Sequence, residues 1–221
     1  MRSVVWNTAP PEVDLWHDGT VQNTISVTAV TPRDFLFRID DLVDLHLTAM
    51  CYDRAAFHQR RLLWSSNARN RGFTGVVALE HPDGTTPDPA DPSQRVVGVA
   101  YGFPGFRTSW WYREVHRGLR GSGLDAGQAG AVLADYDEVS EVHVLPEFQG
   151  HRIGHRMLAQ LLPRLTSATA MLSTPEVPDE GNAAWGLYRA LGFRDVLRNF
   201  RFTSDDRPFG ILARPRGDVP D

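Results

Sequence analysis

The sequence predicts a mixed α/β domain around one central sheet. Three observations carry that expectation. β-Branched runs of period two alternate along the chain with longer segments of helical period. Their order is strand, two helices, a run of strands, helix, strand, helix and two closing strands, which suits one sheet flanked by helices. The length of 221 residues, with 42% hydrophobic and 23% charged side chains, fits a single globular domain.

Each element has a local cause. Residues 1–23 are rich in Pro, Asp and Thr and read as a loosely held arm ahead of a domain spanning 24–214, with 215–221 as a tail. Thr24 to Val30 alternates and is β-branched, a strand that Pro32 stops. Asp34 to Met50 carries an apolar stripe through Leu36, Ile39, Leu42, Val43, Leu45, Leu47 and Met50, so one helix is predicted there, and a second over Arg54 to Arg69. Phe73 to Glu80 and Arg95 to Phe103 read as strands joined by the proline-rich loop His81 to Ser93. Thr108 to Asp135 reads as one helix plus a flexible glycine-rich connector. Asp137 to Leu145 is a strand, Ile153 to Leu165 a helix that Pro163 should kink or end, and Ala168 to Ser173 a short strand. Asn182 to Leu191 is a helix capped by Gly192, and strands Phe193 to Phe202 and Pro208 to Ala213 close the domain.

Composition excludes several function classes. No stretch approaches about 18 consecutive apolar residues, so no membrane span is expected. The N-terminus lacks the apolar core of a secretory signal, and the single cysteine, Cys51, can build neither an internal disulfide nor a thiolate metal cluster. A cytoplasmic location is the expectation. The net charge of −4 argues against a general nucleic-acid binder and suits a cationic small substrate. All 23 basic side chains are arginine, which codon bias explains more simply than resistance to self-modification.

The informative segment is EVHVLPEFQGHRIGHRML, residues 141–158. A strand ends at Pro146, a polar turn follows, and a helix starts near Arg152 or Ile153 with Ile153, Met157 and Leu161 at four-residue spacing. The first turn of a helix leaves backbone N–H groups without partners, and the helix dipole adds positive charge there. Gly150 and Gly154 clear side chains from that turn, while Arg152 and Arg156 add cationic donors. The combination suits a phosphate or diphosphate.

The run Val144-x-Pro146-x-x-Gln149-Gly150-x-x-Ile153-Gly154 resembles the acyl-CoA signature of the GCN5-related N-acetyltransferases. About thirty residues on, Asn182, Leu187, Tyr188, Gly192 and Phe193 resemble the family's second signature, with Trp185 in place of a small alanine. The resemblance is firm over 136–202 and rests on element order alone over 24–104. It implies an acyl-CoA N-acyltransferase fold whose mostly antiparallel sheet splays at the cofactor strand. It also implies acetyl transfer from acetyl-CoA to a primary amine, by direct attack in a ternary complex. Carried over, the backbone of Val142, His143 and Val144 lines the pantetheine arm, and an N–H of Val144 or Leu145 polarises the thioester carbonyl. Amides of Gln149, Gly150, His151, Arg152, Ile153, Gly154 and His155 hold the diphosphate, and Asn182 contacts the pantetheine arm. Tyr188 protonates the leaving thiolate. The family pattern has glycine at the position of Arg152; the expectation is that this position does not need a positive φ and that the arginine reaches a phosphate.

An alkylammonium needs a base before it can attack. Glu141 and Glu138 are the candidates, Asp137 is a third, and a water relay is open; strand parity does not choose, because a bulge would flip it. His143 shares a strand face with Glu141 and can assist proton transfer. His151 and His155 have metal-ligand spacing but would need His143 or Glu147 as a third ligand, and no metal is expected. Gly121-x-Gly123-x-x-x-Gly127 follows a helix rather than a strand, so it reads as a connector and not a dinucleotide loop. Cys51 lacks an acidic orienting partner in sequence and reads as packing. Trp110 and Trp111 wall a pocket or bury a dimer contact. The expected partner is a small-molecule amine, with a protein lysine or N-terminus as the alternative acceptor; a homodimer is possible, and neither nucleic acid nor membrane is expected. The rival classes are a non-catalytic acyl-CoA sensor and a metal-dependent hydrolase.

Overall fold

The computed structural model describes residues 22–203 and 205–217, and the expected N-terminal arm falls almost wholly outside them. Seven strands form one sheet: β1 (Asn23–Val30), β2 (Thr74–Pro82), β3 (Arg95–Pro104), β4 (Tyr136–Val144), β5 (Thr169–Pro175), β6 (Arg194–Phe202) and β7 (Asp205–Pro215). Their spatial order is β1-β2-β3-β4-β5-β7-β6. Every neighbouring pair is antiparallel except β4 and β5. The mixed, mostly antiparallel architecture is the one the sequence predicts. Among the described residues no helix is long and apolar enough to cross a membrane.

The predicted helix over 34–50 is two helices, α1 (Pro32–Phe37) and α2 (Ile39–Met50). The break has a cause in Arg38, whose side chain is buried at the junction. Its guanidinium donates to the carbonyls of Asp91 at 3.0 Å and Gln94 at 2.9 Å and to the Asp41 carboxylate at 2.6 Å. One buried cation thus ties the 83–94 loop to the helix junction, and its charge is paired as a buried charge must be. Helix α3 (Phe57–Asn67) buries Trp64 and leaves Leu62 and Leu63 exposed.

The insertion between β3 and β4 also departs from expectation. It holds α4 (Trp110–Gly121) and α5 (Ala126–Val132) rather than one helix and a flexible connector. Asp125 and Gln128 form a reciprocal capping box that starts α5. Trp111, Val115 and Leu119 from α4 pack with Leu133, Tyr136, Met171, Leu197, Phe200 and Ile211 as a second core. Trp111 is therefore core, whereas Trp110 is half exposed and stacks on Phe202, ring centroids 5.1 Å apart.

The main core sandwiches β1–β4 between two helical layers. Helix α6 (Ile153–Leu161) covers one face, where a Cβ on Gly98 would lie 3.0 Å from Met157 Sδ. Helices α1, α2 and α3 cover the other, where Tyr101 meets Phe35 and Trp64 edge to face. As Pro163 predicts, α6 ends at Leu161 and gives way to a single tighter turn. Helix α7 (Ala183–Ala190) follows β5.

Two irregularities set up the site. First, β4 pairs with β5 only through Tyr136, Asp137 and Glu138 against Thr169, Ala170 and Met171; beyond that the strands part. Second, Tyr101 pairs with Glu141 while Gly102 pairs with Val139, so Ser140 bulges from β4. Partners across a ladder share a face, so Glu141 opposite Tyr101 and Glu138 opposite Phe103 both face the α2–α3 layer. A spacing of three would otherwise put them on opposite faces.

Close packing against the β4 start gives a check on this arrangement. A Cβ on Gly105 would lie 2.0 Å from the ring of buried Tyr136. Gly105→Ala is expected to lower stability by about 1–3 kcal/mol, read as a shifted urea midpoint with unchanged slope.

Candidate functional site

The cleft begins where β5 leaves β4. Leu145 N–H donates to Val97 C=O at 3.0 Å, towards β3. Strand alternation then turns the N–H and C=O of Val144 and Val142 towards the side that β5 has vacated. Of the two oxyanion donors expected, Leu145 is spent in the sheet and Val144 N–H faces the cleft. The Gln149 side-chain amide donates to Val144 C=O at 3.0 Å, so this residue braces the strand end with its side chain.

The turn after β4 presents donors. The first intrahelical bond of α6 runs from Arg156 N–H to Arg152 C=O at 3.0 Å, and no side chain caps the helix. Ile153, Gly154 and His155 therefore begin the helix with outward N–H groups. Gly150 has φ 80 with open space around its missing Cβ, as a close anion approach requires. Gly154 is explained differently: its Cβ would lie 3.1 Å from Leu187, so it lets α6 and α7 pack closely. His151 folds its Nδ1 back onto Gln149 C=O at 3.0 Å and stiffens the turn. Arg156 is not a free cation there, because it donates to Ile25 C=O of β1 at 2.8 Å.

Arg152 overturns an expectation. It sits at φ 58, ψ 17, the left-handed region where a non-glycine residue is strained by about 1–2 kcal/mol. The position does need a positive φ, and an exposed arginine occupies it.

Across the cleft, Asn182 caps α7 by accepting from Trp185 N–H at 2.9 Å. Trp185 is buried under the Arg189 and Arg198 guanidiniums and donates to Pro175 C=O at 2.9 Å. The indole thereby pins α7 to the end of β5. Tyr188, one turn on, is buried; desolvation, then the charge of Glu141, hold its hydroxyl well above the usual phenol range, so it stays protonated.

The carboxylates separate by environment. Asp137 is buried and accepts from Thr166 N–H at 2.8 Å and Ser167 N–H at 2.7 Å; it anchors that loop and is removed as a base. Burial first, and the Glu141 charge second, push Glu138 up to about 8, so it is protonated at neutral pH. Burial also raises Glu141, but the His143 hydrogen bond and the fields of His143, His46 and Arg60 outweigh it and hold Glu141 below the usual range. Of Glu138 and Glu141, it is Glu141 that is ionised at pH 7. This divergence of two neighbouring acids is the pattern of an acid–base site.

Glu141 is not alone. Its Oε2 lies 2.6 Å from His143 Nε2, and its Oε1 accepts from Trp64 Nε1 at 3.2 Å. His46 Nδ1 from α2 lies 3.0 Å from the same His143 Nε2. His46, Glu141 and His143 are the one group of three metal-capable side chains in mutual reach among the described residues; His151 and His155 do not join it. A tetrahedral zinc with ligands near 2.0 Å holds them about 3.3 Å apart. The 2.6 Å separation here is that of a charge-assisted hydrogen bond. His46 is a component that sequence reading missed. Its signal lay in its place on the buried face of α2 beside Leu42, Val43 and Leu45. Desolvation first, with the nearby His143 and Arg60 charges, outweighs Glu141 and lowers its pKa to about 4.

Residues 56–193 match the Acetyltransferase (GNAT) family, a span of more than half the chain. The chain belongs to the GNAT acetyltransferase family. It is 36% identical over 193 residues to the GCN5-like protein acetyltransferase Rv2170 of Mycobacterium tuberculosis, covering 83% of this chain and 94% of the relative. Its fold is similar to that of the ribosomal-protein-S18-alanine N-acetyltransferase of Escherichia coli, with TM-score 0.51 and 16% identity over 90% of this chain and 96% of that one. It is similar also to yncA of Salmonella typhimurium, solved with its cofactor acetyl-CoA, with TM-score 0.51 and 15% identity over 89% and 98%. The family match begins at the single turn that precedes α3 and takes in the splayed strand, the uncapped turn and Tyr188.

Two outcomes follow from the geometry. Arg152→Gly keeps the backbone conformation without the steric penalty and should raise unfolding free energy by about 1 kcal/mol in urea titrations. His46 takes a proton at about 4 when folded against 6.5 unfolded, so the unfolded chain binds more protons across that window. Its stabilising share is whole above 6.5 and lost as pH falls towards 4. Between pH 7 and 4 the wild type should lose about 3 kcal/mol more than His46→Asn, measured by denaturant unfolding at each pH.

Proposed function

We propose that this protein transfers the acetyl group of acetyl-CoA to the nitrogen of a primary amine. The observation that carries the reading is the β4 edge that no strand among the described residues pairs at Val142 and Val144, running straight into the uncapped N–H groups of α6. An extended amide-containing arm pairs with the first, and a diphosphate suits the second. Acetyl-CoA supplies the activated thioester carbonyl. Val144 N–H is placed to donate to that oxygen, and the Glu141–His143 pair takes the proton from the ammonium. The amine nitrogen bonds to the carbonyl carbon, the carbon–sulfur bond breaks, Tyr188 gives its proton to sulfur, and the second proton shed by nitrogen restores Tyr188. Arg152, exposed at the turn, adds a cation beside the diphosphate.

Two acceptor classes have support. A small cationic amine suits the ionised Glu141 under α2 and α3 and the net charge of −4. An amine on a protein is favoured by the name of the 36% identical relative, a protein acetyltransferase. Thiol release from acetyl-CoA, followed across small amines and lysine peptides, separates the two. Calorimetric binding of coenzyme A with no turnover on either panel would instead point to a cofactor sensor.

For whichever acceptor turns over, Tyr188→Phe should lower kcat about 10²-fold with coenzyme A affinity within twofold of wild type. An unchanged kcat would remove the acid role.

A further inference from the structure

The geometry points to His143, rather than Glu141, as the group that takes the proton from the attacking ammonium, through its Nδ1. The inference rests on the acetyl-transfer reading above and names the base within it. Two imidazoles and one carboxylate fix the proton positions. Glu141 is ionised at neutral pH and therefore only accepts hydrogen bonds. His143 Nε2, 2.6 Å from Glu141 Oε2, must carry the hydrogen. A neutral imidazole has one N–H, so His143 Nδ1 is left with the lone pair. That atom has no hydrogen-bond partner among the described residues, and the side chain keeps a tenth of its surface open.

Glu141, by contrast, has a donor on each of its oxygens. One oxygen accepts from Trp64 Nε1–H and the other from His143. Its carboxylate is a fixed anchor that orients an imidazole and stabilises it once charged, the role an aspartate plays behind a catalytic histidine. His46 completes the assignment. Its Nδ1 lies 3.0 Å from the same His143 Nε2, whose one hydrogen points at Glu141; a second N–H facing it at that distance would clash, so the His46 hydrogen belongs on its own Nε2. That Nε2 is buried with no partner among the described residues. A buried unmet donor costs about 1–3 kcal/mol, and the fold retains it where it holds the His143 tautomer. The groups facing this cluster are Arg60 on α3, Glu138 and Tyr101 on the strands, Tyr188 on α7 and Tyr52 after α2.

The step balances. His143 Nδ1 takes one proton from the ammonium and becomes an imidazolium whose Nε2–H stays on Glu141. The free amine bonds to the carbonyl carbon as sulfur departs with the Tyr188 proton. The proton shed as the amide forms replaces the one Tyr188 gave, and the imidazolium returns its own to solvent.

Glutamine reproduces the Nε2–H donor of histidine without an Nδ1 base. His143→Gln should therefore keep the Glu141 contact and coenzyme A affinity yet lower kcat/KM about 10²–10³-fold. Retention of a third or more of kcat/KM would return the role to Glu141. Nitrogen-15 spectra of the wild-type histidines test the same assignment without turnover. At pH 8 His143 should show Nε2 protonated and Nδ1 bare. A bare Nε2 at pH 8 would overturn the inference even in a protein that binds coenzyme A and transfers nothing. The acetyl-transfer reading fails separately, on absent turnover across both acceptor panels.

Discussion

The parting of β4 from β5 after Glu138 and Met171 is the constraint on which the remainder depends. A strand edge inside a sheet is an array of donors and acceptors that folding normally satisfies, and leaving it open is a liability. Here the opening is built in from both sides. β5 pairs with β7 along its whole length, Thr169 through Pro175. Trp185 fixes the far end of β5 to α7 through Pro175 C=O. β4 pairs with β3 past the bulge to Val144, and Leu145 still bonds Val97. Each strand is held by its outer neighbour, so the gap between them is a property of two rigid halves and needs no ligand to keep it open.

The Ser140 bulge serves the chemistry of the same strand. By restoring Glu138 and Glu141 to one face it brings two acids near enough for the charge of one to raise the other. The neighbours then decide which is ionised. Glu141 has Trp64, His143 and the field of Arg60; Glu138 has Ser140. The protonated Glu138 also spares the cleft a second buried negative charge beside Glu141.

Much of this was legible from local pattern. The turn from Gln149 to Gly154 and the α7 cap at Asn182 depend on residues close in sequence, and short-range signals reported them. What escaped was long-range. The break at Arg38 arises because that side chain is drawn to carbonyls more than fifty residues away, which helical periodicity cannot see. The second helix of the 108–135 insertion was hidden by its glycines, although Asp125 and Gln128 carried its capping signature. His46 was invisible as a functional group because nearly a hundred residues separate it from His143. Only the sheet pairing and the docking of α2 bring them together.

Arg152 shows how the two kinds of information conflict. Local propensity argues against an arginine at positive φ, and the expectation was that this position, between Gly150 and Gly154, does not need one. Tertiary geometry wins, because α6 must start where its N–H groups face the end of the open strand. A glycine would satisfy the backbone alone. Arginine satisfies it at a cost of about 1–2 kcal/mol and sets an exposed cation beside the bare helix N-terminus. Two positive features placed together repel, so the residue is unfavourable on both backbone and electrostatic grounds. Strain kept at one exposed turn, where folding gains nothing from it, marks that turn as the candidate site.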